Sequence, residues 1–147
     1  MRALLQRVTS ASVRVEGQIV GEIQHGLLVL FAVQPNDTRE IAERMVQRIV
    51  RYRMFSDAHG KMNQSVSDVG GGILWVSQFT LAADTEKGLR PSFSCAAPPE
   101  LARVLYEHTL TYAATFPLVQ ASGRFGADMQ VALVNDGPVT FLLEVNA

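Results

Sequence analysis

The longest uninterrupted apolar run in the chain is Leu27-Leu28-Val29-Leu30-Phe31-Ala32-Val33. Such a run, with no alternation of polar and apolar residues, predicts a strand that is buried on both faces. Turn residues separate it from other segments whose patterns also favour strands. The predicted strands are residues 4–8, 12–15, 18–22, 27–33, 73–76, 119–121, 129–134 and 139–145.

Two further segments repeat their apolar residues at helical spacing. The first runs from residue 38 to about residue 53, after Asp37 and Glu40, which have the spacing of a capping box. The second begins at Pro98-Pro99-Glu100, because proline is favoured at the start of a helix. Two helices with about seven or more strands predict a single α+β domain over residues 1–147, with a largely antiparallel, barrel-like sheet.

The composition argues against membrane and disulfide-rich classes of protein. Hydrophobic residues make up 48% of the chain, which is enough for a core, but no apolar run approaches the length that spans a bilayer. The N-terminal residues lack the features of a signal peptide. Cys95 is the single cysteine, so an internal disulfide is impossible. We therefore expect a cytoplasmic protein with no membrane partner.

The basic residues are mostly arginine. Of the 13 basic residues only Lys61 and Lys87 are lysine, and the net charge of the chain is −1, so no global field attracts nucleic acid. On the predicted first helix, Arg44, Arg48 and Arg51 lie on the face opposite the apolar stripe. This row is either a solvated surface or a set of phosphate contacts.

Two polar motifs stand between strand-like runs, Ser77-Gln78-Phe79-Thr80-Leu81 and Asn135-Asp136-Gly137-Pro138-Val139-Thr140. If the first motif continued a strand, its alternate residues would face opposite sides of the sheet, so a strand end or bulge is needed for all to line one pocket. Gly137-Pro138 is unusual beside a strand, because proline has no N–H to donate. The peptide bond between these two residues can be cis or trans.

Several common catalytic patterns are missing. His25, His59 and His108 have no metal-ligand spacing, and no histidine is placed by the sequence near Cys95 to activate it as a nucleophile. We expect His108 to be structural and His59 to lie in a solvated turn. The glycine run at residues 70–72 lacks the ending of a phosphate-binding loop, and there is no Gly-x-Ser-x-Gly elbow.

Together the motifs resemble the bacterial D-aminoacyl-tRNA deacylases over essentially the whole chain, with no departure in either polar motif. The resemblance extends to several other segments. They are Gln6-Arg7-Val8-Thr9, Ala11-Ser12-Val13, Gly26-Leu27-Leu28-Val29-Leu30, Tyr52-Arg53, Phe55-Ser56-Asp57, Gly60-Lys61-Met62-Asn63, Arg90-Pro91-Ser92-Phe93 and Gly123-Arg124-Phe125.

This resemblance implies a homodimer with active sites at the subunit interface. Each site would combine the 77–80 segment of one chain with Gly137-Pro138 of the other, which would reach in with a cis peptide bond. The reaction implied is hydrolysis of the ester between a D-amino acid, or glycine, and the terminal adenosine of tRNA, with L-amino acids excluded. No metal or other cofactor is implied.

The expected catalytic residues are Ser77, Gln78 and Thr80. Backbone N–H groups near Phe79 and Thr80 would hold the carbonyl oxygen of the ester, and Gln78 would support that geometry. Water, helped by a ribose hydroxyl of the substrate, is preferred as the attacking group over Thr80, for which no base is visible. The expected substrate-binding residues are Phe79, Gly137, Pro138, Arg7, Phe93 and Met129.

Within this set, Arg7 is expected to orient the Gly137-Pro138 segment by holding backbone carbonyls. Phe93 and Met129 are expected to line the pocket or the contact between subunits. Two other functions remain as alternatives. One is a hydrolase of small esters or amides that uses Thr80 as nucleophile, and the other is a non-catalytic protein that binds the acceptor end of tRNA.

Overall fold

The long first strand, β1 (Arg2–Val15), organises the sheet in a computed structural model that describes residues 1–147. Along one edge it pairs antiparallel with β8 (Gln130–Glu144). Along the other edge it pairs antiparallel with β3 (Gly26–Ala32) in its first half and with β2 (Gln18–Ile23) in its second half. β1 therefore pairs directly with the strand that holds the second polar motif, and through β3 it is joined to the strand that leads into the first.

The sheet is mixed: the three pairings of β1 are antiparallel, as expected, but two further pairings are parallel. β6 (Gly72–Ser77) runs parallel to β3, and β7 (Gln120–Ser122) runs parallel to β6. A long connection, with its helix, precedes each of these strands and returns the chain in the same direction. A separate two-stranded hairpin consists of β4 (Phe55–Ser56) and β5 (Met62–Gln64). The α+β class and the two main helices are confirmed.

Two pairs of predicted strands are each a single strand in the structure. Residues 4–8 and 12–15 both belong to β1, and residues 129–134 and 139–145 fall largely within β8. The strands stay continuous because shifts in the β1–β8 register absorb the polar interruptions. The buried strand predicted at residues 27–33 is confirmed as β3, of which Leu30 alone is only partly buried.

The helices are α1 (Arg39–Arg51) and α2 (Pro99–Ala113). The predicted capping role of Asp37 is wrong. Thr38 is the N-cap, and its hydroxyl accepts from the N–H of Ile41 at 3.2 Å. Asp37 instead binds the N-terminal ammonium group at 2.7 Å and the backbone N–H of Gln34 at 2.7 Å. Neither helix has the length and apolar character needed to cross a bilayer.

An aromatic cluster fills the space between the sheet and α2. The Phe31 ring lies 5.9 Å from Trp75 and stacks 5.6 Å from Tyr106, and Tyr106 lies 5.4 Å from Phe125. Phe31 and Trp75 come from the paired strands β3 and β6, and both are buried. This cluster fixes the carboxyl end of β6, where the first polar motif begins.

Candidate active site

The strand β6 ends at Ser77 and turns into a short 3₁₀ helix, Phe79–Ala82. The N–H of Gln78 still donates to the carbonyl of Phe31 at 2.8 Å, which is the last bond of that strand to β3. Strand alternation therefore stops at Ser77, and the strand end required by the sequence argument is present. As a result Ser77, Gln78 and Phe79 line the same cavity, while Thr80 is not part of its wall.

The cavity has a volume of about 470 Å³ and a mostly apolar wall. The wall includes Phe31, Tyr106 and Phe125. Met129, the residue directly before β8, also lies in it. Tyr106 is its only titratable side chain. Burial raises the pKa of the Tyr106 phenol, with a smaller opposing effect from a hydrogen bond to Ser122. The phenol is thus neutral near pH 7 and is unsuited to act as a base.

Backbone N–H groups are the polar feature that the 3₁₀ helix presents. The first N–H groups of a helix have no partner within it, and here they belong to Phe79 and Thr80. The side-chain amide of Gln78 donates to the hydroxyl of Thr80. The Gln78 amide is the one side chain that hydrogen-bonds to that hydroxyl, so no basic side chain lies against Thr80 within one chain.

Phe93 does not line the cavity, but its ring lies 5.2 Å from the ring of Phe79. Both side chains are exposed. Together they form an apolar surface next to the cavity. Phe79 belongs to the 3₁₀ helix, and Phe93 belongs to the loop that precedes α2. The cavity wall thus contains three residues of the first polar motif and Met129, with Phe93 adjacent.

The second polar motif bulges out of β8. Gln6 of β1 pairs with Thr140, and Val8 pairs with Asn135, so the four residues 136–139 stand opposite the single residue Arg7. Gly137 and Pro138 are exposed, and the peptide bond between them is cis. This bulge presents their backbone at the surface rather than in the ladder.

Two side chains hold the bulge in place. The guanidinium of Arg7 donates through Nε to the carbonyl of Asp136 at 2.9 Å and through Nη1 to the carbonyl of Met54 at 3.0 Å. Asn135 accepts from the N–H of Val139 at 3.1 Å and donates to the carbonyls of Val139 and Arg7 at 3.0 and 2.9 Å. The carbonyl contact expected of Arg7 is present, one residue before Gly137.

Asn135 has a structural role that the sequence argument did not assign. Its side chain closes the base of the bulge, where the backbone of β8 leaves the ladder. The sequence contained a signal for this role. Asn135 is a short polar residue placed just before Gly137-Pro138, where a side chain can bond the backbone of a turn.

His108, His59 and Cys95 do not line the cavity. His108 Nε2 lies 2.9 Å from a carboxylate oxygen of Glu43 and so links α2 to α1. His59 is exposed in a turn. Cys95 is exposed, and its sulfur lies 4.0 Å from the hydroxyl of Ser94.

Within one chain, the two halves of the expected site are separate. Gly137 and Pro138 do not line the cavity formed by Ser77, Gln78 and Phe79. One half is an apolar cavity with backbone donors at its edge, and the other is an exposed bulge held by Arg7 and Asn135. A site of this composition suits a substrate that needs orientation and stabilisation of charge more than a strong base.

Comparison with known proteins identifies the class. A solved structure described as a probable eukaryotic D-amino acid tRNA deacylase shares the fold, with a TM-score of 0.84 at 16% identity over 97% of both chains. The family described as D-Tyr-tRNA(Tyr) deacylase matches residues 4–144. The chain belongs to this family.

Closer relatives cover the full length. A D-aminoacyl-tRNA deacylase of Pseudomonas putida (strain W619) is 61% identical over 145 residues, which is 99% of this chain and 100% of the relative. A solved structure described as c-Myc DNA unwinding element binding protein superposes with a TM-score of 0.94 at 43% identity and covers 100% of both chains. The resemblance drawn from the motifs is thereby confirmed.

Proposed function

We propose that this protein hydrolyses the ester that joins a D-amino acid, or glycine, to the terminal adenosine of tRNA. Family membership over nearly the whole chain supports this reaction. The observation that carries the mechanism is the composition of the cavity, whose only titratable side chain is the neutral Tyr106. An aminoacyl ester is already activated, so a site without a base can hydrolyse it by orientation and electrostatic stabilisation.

In this mechanism the N–H groups of Phe79 and Thr80 bind the carbonyl oxygen of the ester. These donors become more effective as negative charge develops on that oxygen, because they are fixed in place before the reaction begins. Gln78 supports them through its bond to the Thr80 hydroxyl. Water attacks with help from the ribose hydroxyl of the substrate itself. Removal of one such donor typically costs about 100-fold or more in rate.

The exposed position of the bulge supports a homodimer in which Gly137 and Pro138 of one subunit enter the cavity of the other. These two residues lie outside the cavity of their own chain. Val134 and Leu142 of the same strand are large apolar side chains left exposed. A second copy of the chain, packed on β8, would cover them and bring the two halves of the site together.

Selection of the D-isomer follows if backbone carbonyls of the Gly137-Pro138 segment bind the α-amino group of the substrate. The α-hydrogen of a D-residue then faces the backbone, and its side chain faces away. An L-side chain would collide with that backbone. Each tenfold of discrimination requires roughly 1.4 kcal/mol, and a steric clash supplies several such increments more readily than side-chain preference does.

Hydrolysis of matched aminoacyl-tRNAs by the purified protein tests this function. We expect D-Tyr-tRNA and D-Asp-tRNA to be cleaved at rates within about tenfold of each other, because the side chain is not contacted. Glycyl-tRNA should also be cleaved, whereas L-Tyr-tRNA should be spared. Rates for the two D-substrates that differ by orders of magnitude would contradict selection by exclusion, and equal cleavage of D- and L-Tyr-tRNA would contradict the proposed function.

Thr80→Ala separates water attack from the alternative in which Thr80 is the nucleophile. We expect kcat to fall only about fivefold, because the substitution removes one neutral hydrogen bond worth about 1 kcal/mol. Single-turnover mass spectrometry of the wild type should detect no acyl-enzyme. Thr80→Ser, which keeps the hydroxyl, is the matched control. Complete loss in Thr80→Ala, recovery in Thr80→Ser and a trapped acyl-enzyme would establish Thr80 as the nucleophile.

A further inference from the structure

A groove of about 530 Å³ on the surface of α1 is lined almost entirely by polar side chains, four of them arginines. No carboxylate lines it, and none of the four arginines forms a salt bridge. This concentration of positive charge lies on a chain whose net charge is −1. The lining residues are Arg44, Gln47, Arg48, Arg51, Tyr52 and Arg53.

Part of the groove is held in place by the end of the chain and by α2. Arg44 donates to the carbonyl of Asn146 at 3.3 Å, and Arg48 donates to the carbonyl of Glu144 at 2.9 Å. The Gln47 amide donates to the phenol oxygen of Tyr112 at 2.7 Å. Neutral carbonyls position these guanidinium groups without cancelling their charge.

The other two arginines form no salt bridge, although the Asp68 carboxylate lies near enough to Arg53 to interact with its charge. Arg51 and Arg53 are exposed, and neither side chain makes a hydrogen bond within the chain. A guanidinium presents several N–H donors in a planar arrangement that matches the oxygens of a phosphate. Two fixed and two exposed guanidinium groups therefore form a surface suited to more than one phosphate.

The groove is connected to the bulge by short contacts. Arg53 directly precedes Met54, whose carbonyl accepts from Arg7, and Arg7 also holds the carbonyl of Asp136. At the other side, the Tyr52 ring lies 5.5 Å from the ring of Phe141 in β8. Phe141 pairs with Leu5 and Glu144 with Arg2, two and five positions from Arg7, which faces the bulge. Since a strand rises about 3.3 Å per residue, these groove contacts lie roughly 7 to 17 Å from the bulge along the sheet.

We propose that this groove binds phosphates of the acceptor end of the tRNA whose ester lies in the partner subunit's cavity. The inference rests on the proposed function and on the proposed dimer, in which the bulge enters that cavity. At a few ångströms per nucleotide, this distance from the bulge corresponds to the first few nucleotides from the ester. A groove with four arginines and no carboxylate suits a polyanion, and the tRNA is the polyanion that the proposed reaction brings to the dimer.

Arg51→Gln/Arg53→Gln tests the groove without removing any internal hydrogen bond. The matched control is Arg14→Gln/Arg39→Gln, which removes the same charge from two exposed arginines outside the groove, one of them on α1 itself. Steady-state kinetics on D-Tyr-tRNA between 50 and 200 mM salt gives KM, kcat and the salt dependence for each protein.

We expect the groove variant to have a higher KM at low salt, with kcat within twofold of wild type. Loss of two phosphate contacts should make the KM of the groove variant less dependent on salt. Between the two salt concentrations, the KM of the wild type should therefore rise by a factor roughly tenfold larger than the KM of the variant does. The control should match wild type in both respects. A groove variant with the wild-type KM and salt dependence, or one in which kcat falls while KM does not change, would overturn the inference alone. A wild-type protein that does not cleave D-Tyr-tRNA would overturn the proposed function as well.

Discussion

Gly137→Ala will lower kcat/KM for D-aminoacyl-tRNA by about 100-fold, the loss that a displacement near 1 Å of a positioning group can cause. The backbone of Gly137 has φ +149°, a conformation that L side chains rarely adopt. A Cβ added there would lie 2.6 Å from both the N and the Cγ2 atom of Val139. Val139 is buried and bonded through both its N–H and its carbonyl to Asn135, so it cannot yield. The Gly137-Pro138 segment must move instead.

The variant should remain folded, since backbone strain at one residue costs about 1 to 3 kcal/mol against a typical stability of 5 to 15 kcal/mol. Thermal denaturation measures this directly. Gly17→Ala is the matched control, because Gly17 also has a positive φ, +78°, but its added Cβ would meet nothing within 4 Å. That variant should hydrolyse D-Tyr-tRNA at the wild-type rate. Wild-type activity in Gly137→Ala would mean that the bulge does not approach the substrate.

The same bulge explains why local sequence patterns divided β8 into two strands. Proline and the residues around it break the pattern that predicts a strand, and a local argument ends the strand there. In the structure the side chain of Asn135 supplies the hydrogen bonds that the backbone omits, including one to the carbonyl of Arg7 on β1. Residue 135 and residue 7 are far apart in the chain, so this compensation depends on tertiary pairing that no short window contains.

The helix start was misassigned for a similar reason. Asp37 and Glu40 fit the local pattern of a cap, but the carboxylate of Asp37 is engaged by the N-terminal ammonium group of Met1. That partner lies 36 residues away in sequence. Thr38 takes the capping position that remains. The burial of β3 and the helical stripe of α1 were predictable, in contrast, because each depends on the spacing of apolar residues alone.

In the candidate site, too, the features set by local sequence were predictable and those set by tertiary contacts were not. The two polar motifs were recognisable because small polar residues between apolar runs mark places where a sheet presents backbone groups. The strand end after Ser77 was required by the argument and is found, but its 3₁₀ continuation was not anticipated. Tyr106 enters the cavity wall from α2, and Phe125 enters it from the loop between β7 and β8. Their apolar pattern did not distinguish a cavity wall from a core.

Arg7→Ala will reduce both the rate and the chiral selectivity of the reaction. The Arg7 side chain is only 13% exposed, and it holds the carbonyls of Asp136 and Met54 together. Without it the bulge loses its connection to the segment after α1, and its backbone can shift away from an L-side chain. We expect kcat/KM for D-Tyr-tRNA to fall about 100-fold. The ratio of D- to L-Tyr-tRNA cleavage should fall as well.

The change in that ratio separates a positioning role from a general loss of stability. Two carbonyls left without a partner would cost about 1 to 3 kcal/mol each, which lowers the melting temperature but does not by itself admit L-substrates. Arg7→Lys keeps the charge with a single flexible ammonium group, so it should recover part of the rate and less of the selectivity. Arg14→Ala, on the same strand with one exposed bond to the Gly17 carbonyl at 3.3 Å, should change neither. A slower Arg7→Ala enzyme with undiminished D/L discrimination would mean that the wall that rejects L-amino acids does not depend on this guanidinium.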